Sequence, residues 1–292
     1  MISLRQKLEN ARSQQNISWD ILEQDYILSW VLYGIASTKG LAEHLVFKGG
    51  TALKKCYFGN YRFSQDLDFT ALENLPSKDE LGELITKSCN LAVSEMQKYM
   101  PSPILTSKRY TEKLPHPENQ EAFCIFAQLP WHKTPFTRIM VEITRKEKMI
   151  YPSVVRNIIH SYDEELRASI PTYSIEEIII EKLRAILQHT IKLHERGWGR
   201  SRARDYYDLY RIFSDYPDKI NLKDLQENFN KKIAIKRVEF KDYRDFFDEL
   251  AIKEVKGTWN QWLKPLVPDA PEAEFVLDYL REYIPKLFSE KS

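Results

Sequence analysis

The stretch from His44 to Thr70 restricts the possible folds more than any other part of the chain. It reads as a short strand (Leu45 to Lys48), a Gly-Gly turn, a helical turn (Thr51 to Tyr57) and a second strand (Asp66 to Thr70). Gly49 and Gly50, followed by Thr51, permit a tight turn and let backbone N–H groups approach a phosphate with no side chain between. On the second strand Asp66 and Asp68 are two residues apart and share one face, their Cα atoms separated by roughly 6.6 Å at ~3.3 Å per residue, while Leu67 and Phe69 point into the core. Hard divalent cations such as Mg²⁺ take oxygen ligands, and two-metal phosphoryl transfer sets its ions ~3.5 to 4 Å apart, a gap such a pair can bracket. An isolated Asp-x-Asp more often marks the solvated face of an edge strand, and the Gly-Gly element upstream turns the balance toward metal binding. A third carboxylate is expected on a neighbouring strand. Glu142 alternates with buried positions in Arg138-Ile139-Met140-Val141-Glu142-Ile143, as an ordinary exposed strand glutamate also would.

Around this stretch the pattern is mixed. Asn16 or Ser18 caps a helix from Trp19 to about Ala36, another helix runs from about Lys78 to Tyr99, and strand-like segments follow near 104–112, 121–130 and 137–146. After about Tyr151 the pattern turns helical: Ser174 caps Ile175 to His194, Ser201 opens Ala203 to Phe213, and further helices read near 222–230, 241–253 and 272–288. Pro265, Pro268 and Pro271 mark a rigid linker before the last of these. The expected class is α+β with two lobes, residues 1–165 and 166–292, the second mainly helical.

Composition excludes more than it selects. Hydrophobic residues at 43% and charged residues at 29% describe a globular protein rather than a disordered one. No apolar run approaches the ~18 residues of a spanning helix, and no basic-then-apolar leader opens the chain, so a soluble cytoplasmic protein is expected. The 3 cysteines, Cys56, Cys89 and Cys124, lack the spacing of a zinc knuckle, and the 6 histidines, His116 among them, lack HExxH spacing. A net charge of +1 leaves a nucleic-acid partner open, because backbone binding depends on local basic surface.

A second constellation lies in the helical half. Successive helix positions turn by ~100°, so Lys182 falls among Ile175, Ile178, Ile179 and Ile186 in the middle of an apolar stripe. Asp205 shares a stripe with Leu209, Ile212 and Phe213 on the next helix, with Asp208 one turn along. A buried Lys182–Asp205 ion pair holding the helices together, or a lysine that snorkels outward, would explain this. So would a cleft between the lobes in which Lys182 meets nucleotide phosphates and Asp205 positions a hydroxyl, a metal or the lysine itself. Between the two helices, Arg196, Arg200, Arg202 and Arg204 surround Gly197-Trp198-Gly199. They form either a loop that grips an RNA backbone and stacks a base, or a solvated connection.

The run Leu45-Val46-Phe47-Lys48-Gly49-Gly50-Thr51-Ala52-Leu53, then Arg62-Phe63-Ser64-Gln65-Asp66-Leu67-Asp68-Phe69, resembles the first motif of the AbiEii family, which includes the MenT toxins. Glu181-Lys182-Leu183-Arg184-Ala185 resembles its KLxA motif, and Arg204-Asp205-Tyr206-Tyr207-Asp208-Leu209 its DxxD motif. The resemblance spans Glu23 to Leu209, and beyond Tyr210 nothing specific is recognised. It implies a polymerase-β-like nucleotidyltransferase core with a mixed sheet, completed by a helical lobe, with Asp66 and Asp68 as ligands of Mg²⁺ or Mn²⁺. Lys182, Asp205 and Asp208 carry over as site residues, and Gly49, Gly50, Thr51 and Ser64 face the NTP, Ser64 either contacting phosphate or becoming modified. It further implies transfer of a nucleotide to the 3′ end of tRNA, a halt to translation, and an AbiEi-like antitoxin. Transfer to a small molecule, a nucleotide-binding regulatory module without turnover, and a metal-dependent nuclease are the competing readings.

Overall fold

The computed structural model describes residues 3–111, 120–217 and 220–288, so His116 lies outside the described residues. The helices are α1 (Leu4–Gln15), α2 (Trp19–Ser37), α3 (Gly49–Ala52, continuing as a π-helical turn Leu53–Phe58), α4 (Lys78–Met96), α5 (Ile175–Arg196), α6 (Ala203–Asp215), α7 (Leu225–Lys236), α8 (Glu249–Leu263) and α9 (Ala273–Phe288). The strands are β1 (Leu45–Lys48), β2 (Asp66–Ala71), β3 (Ile104–Arg109), β4 (Gln120–Gln128), β5 (Thr137–Thr144), β6 (Val154–Asn157) and β7 (Ser169–Thr172). The chain divides into two units, Met1–Lys148 with Ser153–Tyr173, and Met149–Pro152 with Ser174–Ser292.

The first unit is built on a seven-stranded mixed sheet of order β3-β4-β5-β2-β1-β7-β6. Strand β2 runs antiparallel to β1 and parallel to β5, near the middle of the sheet. One face of these strands is apolar, with Phe47, Leu67, Phe69, Ile139, Val141 and Ile143 fully buried, which fixes the register because a slip of one residue would expose the whole set. Helix α2 packs against β5, β2 and α4. It buries residues all round its axis, Tyr26, Leu28, Trp30 and Leu32 among them, so it is a central helix rather than a surface one.

Two strands depart from the sequence expectation. The helical pattern begins at Ile175 and not near Tyr151, because β6 and β7 come first and add two strands to the sheet beside β1. Neither shows the alternation that marks a half-buried strand: β6 is four residues long and largely exposed, and β7 carries Pro171, a residue that normally argues against a strand. Helix α1 was also not anticipated, since Leu8 is its one buried residue.

The second unit is helical. Ser174 opens α5, its hydroxyl accepting from the Glu177 N–H at 3.2 Å, and Gly197 closes it in the left-handed conformation at φ 75°. Phe229, Phe240, Phe246 and Phe288 pack into one aromatic cluster, and Phe213 stacks on Tyr283 at 4.4 Å. The proline-marked linker is anchored where the Trp259 indole donates to the Pro271 carbonyl at 2.9 Å. Among the described residues, no helix is long and apolar enough to cross a membrane.

Candidate active site

Strand pairing carries the local Asp-x-Asp pattern into three dimensions. Residues directly opposite one another in a sheet point to the same face. Lys48 on β1 lies opposite Asp68 on β2, and Asp68 lies opposite Glu142 on β5, so these three form one row across the sheet with Asp66 two residues along. The intervening Leu67 and Phe69 are buried on the other face, while Asp66, Asp68 and Glu142 remain partly accessible. The Gln120 amide donates to Glu142 Oε2 at 2.8 Å, and the Lys48 ammonium donates to Thr144 Oγ1 at 3.2 Å, fixing both ends of the row.

The Gly-Gly turn sits against this row. Gly49 has φ +80°, and a Cβ built on it would lie 2.7 Å from Asp68 Oδ2, so both conformation and space require glycine there. Thr51 Oγ1 lies 2.5 Å from Ser64 Oγ and 2.6 Å from the Asp66 carbonyl oxygen. A hydroxyl has one proton, so a chain in which Ser64 donates to Thr51 and Thr51 donates to Asp66 satisfies all three atoms. The predicted residues Gly49, Gly50, Thr51, Ser64, Asp66, Asp68 and Glu142 therefore belong to one neighbourhood of the first unit. Lys48 and Arg62 join them without having been singled out from sequence. The signal for Lys48 was its position immediately before Gly49 on a strand.

Among the described residues, no group of three or more histidine, cysteine, aspartate or glutamate side chains converges on a metal position. Two carboxylates on one strand face nevertheless suit Mg²⁺, which is commonly held by one or two carboxylates together with substrate phosphates and water rather than by an all-protein cage. The donor set of Asp66 and Asp68 fits such an ion.

In the second unit Lys182, Asp205 and Asp208 come together. The Lys182 ammonium lies 3.0 Å from Asp205 Oδ1 and 2.5 Å from Asp208 Oδ2, with Asp208 fully buried. Arg202 reaches Asp205 Oδ2 at 3.3 Å. Burial pushes the Asp205 carboxyl upward, but Lys182 and Arg202 outweigh it and hold the group below its ordinary value. A parallel cluster lies on the α5–α7 side, where Lys232 is 3.0 Å from Glu177 Oε1 and 2.5 Å from Glu181 Oε1. Glu177 Oε2 also accepts the N–H groups of Ile150 and Tyr151, both at 2.9 Å, which ties the short 149–152 segment to this unit.

The four loop arginines do not act alike. Arg196 is exposed, Arg202 is turned to Asp205, and Arg200 and Arg204 flank the Trp262 ring at 5.8 and 5.2 Å from its centroid. Trp198 is 70% exposed. The neighbouring Gly199 has no room for a side chain, because a Cβ there would meet the His189 ring at 2.5 Å.

A mixed α+β unit that presents two carboxylates from a central strand beside a glycine turn has the layout of a polymerase-β-like nucleotidyltransferase. The family model described as "Nucleotidyl transferase AbiEii toxin, Type IV TA system" matches residues 30–283, and the chain belongs to that family of nucleotidyltransferase toxins. Among solved structures it is similar to MenT4, a nucleotidyltransferase toxin from Mycobacterium tuberculosis, with a TM-score of 0.63 and 20% sequence identity over 94% of this chain and 86% of that one. That likeness establishes a shared fold. No curated protein matches the chain in sequence.

Proposed function

We propose that this chain is a cytoplasmic toxin that transfers a nucleoside monophosphate from an NTP to the 3′ end of tRNA and so stops translation, restrained by an AbiEi-like antitoxin. The observation that carries the reading is the row Lys48–Asp68–Glu142, with Asp66 beside it, packed against a Gly-Gly turn. Membership of a nucleotidyltransferase toxin family supports the reaction class, and tRNA is inferred from the family resemblance.

In this reading Asp66 and Asp68 would hold the divalent ion, Mg²⁺ or Mn²⁺, which would supply positive charge to offset that of the triphosphate. The backbone N–H groups of Gly49 and Gly50 meet the phosphates, and the Thr51–Ser64 hydroxyl pair holds the turn against β2. Glu142, fixed by Gln120, supplies a third acidic group in the same row. The 3′-hydroxyl attacks the α-phosphorus and gives up its proton to solvent, a P–O bond to the acceptor forms, the bond to the β-phosphate oxygen breaks, and pyrophosphate leaves. Lys182, Asp205 and Asp208 enter on the family's motifs: the lysine for phosphate charge, the aspartates to hold and tune it. Arg196, Arg200, Arg202 and Arg204 are assigned to the RNA backbone.

The test is incubation of the purified protein with total tRNA, Mg²⁺ and each α-labelled NTP in turn, beside Asp68→Ala, with label read on a denaturing gel. Label entering RNA, and lost in the variant, supports the transferase and names its nucleotide. Label that stays acid-soluble points to a small-molecule acceptor, shortened RNA points to a nuclease, and binding without pyrophosphate release points to a regulatory module.

A further inference from the structure

Gly50 is glycine for a reason different from that of Gly49. Its φ is not positive, so backbone conformation does not demand it. Space does. A Cβ built on Gly50 would lie 1.9 Å from one terminal nitrogen of Arg62, 2.8 Å from its Cζ and 3.2 Å from the other terminal nitrogen. The guanidinium therefore occupies the place of the missing side chain, and any residue larger than glycine would expel it.

Arg62 is held there from several directions. The turn that carries it closes on Lys54, whose ammonium donates to the carbonyls of Gly59 and Tyr61, both at 3.3 Å, and lies 4.2 Å from the centroid of the Phe63 ring. Phe58 and Tyr61 stack at 4.7 Å, and the Arg62 Cζ lies 5.9 Å from the Tyr61 ring centroid. One guanidinium nitrogen donates to the Phe63 carbonyl at 3.3 Å. The residue is only 5% exposed, so its guanidinium is fixed beside the turn rather than free in solvent. A guanidinium presents five N–H donors in a planar fork that matches phosphate oxygens. The turn it covers is the element that, in the nucleotidyltransferase reading, faces the triphosphate. The nearer lysine, Lys48, directs its ammonium to Thr144.

We propose that Arg62 is a phosphate-binding residue of this site, its guanidinium seated over Gly50 to meet the triphosphate of the nucleotide. The proposal rests on the nucleotidyltransferase reading and adds a residue and a ligand class to it. Because the arginine is already fixed, little ordering is required when the anion arrives.

The experiment is calorimetric titration of the full-length protein with inorganic tripolyphosphate in Mg²⁺, comparing wild type with Arg62→Gln, Arg62→Lys and Gly50→Ala, each first shown to melt cooperatively. Arg62→Gln is expected to weaken binding at least tenfold. Arg62→Lys, which keeps charge and loses the fork, falls between. Gly50→Ala, which keeps the arginine and displaces it, matches Arg62→Gln. Steady-state transfer then shows a raised KM for NTP with kcat little changed, a split that a purely structural loss would not give. If wild type binds and folded Arg62→Gln binds equally well, Arg62 is a filler of the turn and the proposal falls. Should Arg62→Gln not fold, unweakened binding by folded Gly50→Ala overturns it in the same way. If wild type binds neither tripolyphosphate nor any NTP, the nucleotidyl-transfer reading fails first and takes this inference with it.

Discussion

An alanine at position 49 would have to adopt φ near +80° and place its Cβ 2.7 Å from Asp68 Oδ2. The conformational strain alone is about 1–2 kcal/mol, and relief of the contact moves the carboxylate or the turn. Gly49→Ala should therefore fold with a modestly lowered Tm and lose about 100-fold in kcat, the scale expected when a catalytic group is displaced by an ångström or less. Retention of full kcat would show that the Asp68 position is not critical. Lys54 gives a pH prediction. Burial, reinforced by Lys55 and partly opposed by Asp25, pushes its ammonium from 10.5 down to about 8. Between those two values the unfolded chain keeps a proton that the folded chain has released, so this residue makes stability rise with pH across the window. Lys54→Met removes that rise. Urea unfolding of both proteins at about pH 7.5, 9 and 10 should show the wild type gaining on the variant as pH increases, the buried cysteines and tyrosines being common to both.

At the scale of elements, α5 is a hub that sends Lys182 to α6 and Glu177 and Glu181 to α7. Removing one partner of a buried ion pair leaves uncompensated charge and costs about 3–5 kcal/mol. Lys182→Ala should lose that much in denaturant unfolding, since Asp208 is fully buried, whereas Arg196→Ala on the exposed loop should change stability by less than about 0.5 kcal/mol. A Lys182→Ala protein of wild-type stability would mean that the cluster bears little on folding. The same elements show what the chain makes readable. The Gly-Gly turn, Asp66 and Asp68 were legible because the signal is local: a turn, a period of two and a few buried neighbours. Lys182 and Asp205 were legible because a charge stood on an apolar helical stripe. The row from Lys48 through Asp68 to Glu142 was only half legible. Glu142 showed the right alternation, but its register opposite Asp68 depends on a parallel pairing with β2 that no spacing within either strand reveals. Arg62 was hidden for a similar reason, because the empty side-chain position it fills belongs to a residue twelve positions upstream. Strands β6 and β7 escaped because short strands with exposed faces and an internal proline carry no period to read.

For the whole molecule the question is whether the divalent ion is part of the fold or part of the reaction. The first unit closes its core with Phe47, Leu67, Phe69, Ile139, Val141 and Ile143, and the second with its aromatic cluster and the α5 ion pairs. The three cysteines are buried thiols, and among the described residues no three metal-binding side chains meet. Among the described residues neither unit has the ligand set by which small domains use metal as a staple, so chelation should leave Tm unchanged while abolishing the proposed transfer. In the proposed function Mg²⁺ and NTP together bind only the folded protein, and at about 100-fold above their dissociation constant they would contribute about 2.7 kcal/mol. In a chain of this size that corresponds to a rise in Tm of roughly 5 °C. Asp68→Ala removes the proposed metal ligand without touching either core, so its melting temperature without ligand should stay near that of wild type and its rise on adding Mg²⁺ and NTP should vanish. Differential scanning calorimetry of both proteins, with EDTA and with Mg²⁺ and NTP, separates the cases. A fall in wild-type Tm under EDTA would make the metal structural. An undiminished rise in Asp68→Ala would place the nucleotide somewhere other than the carboxylate row.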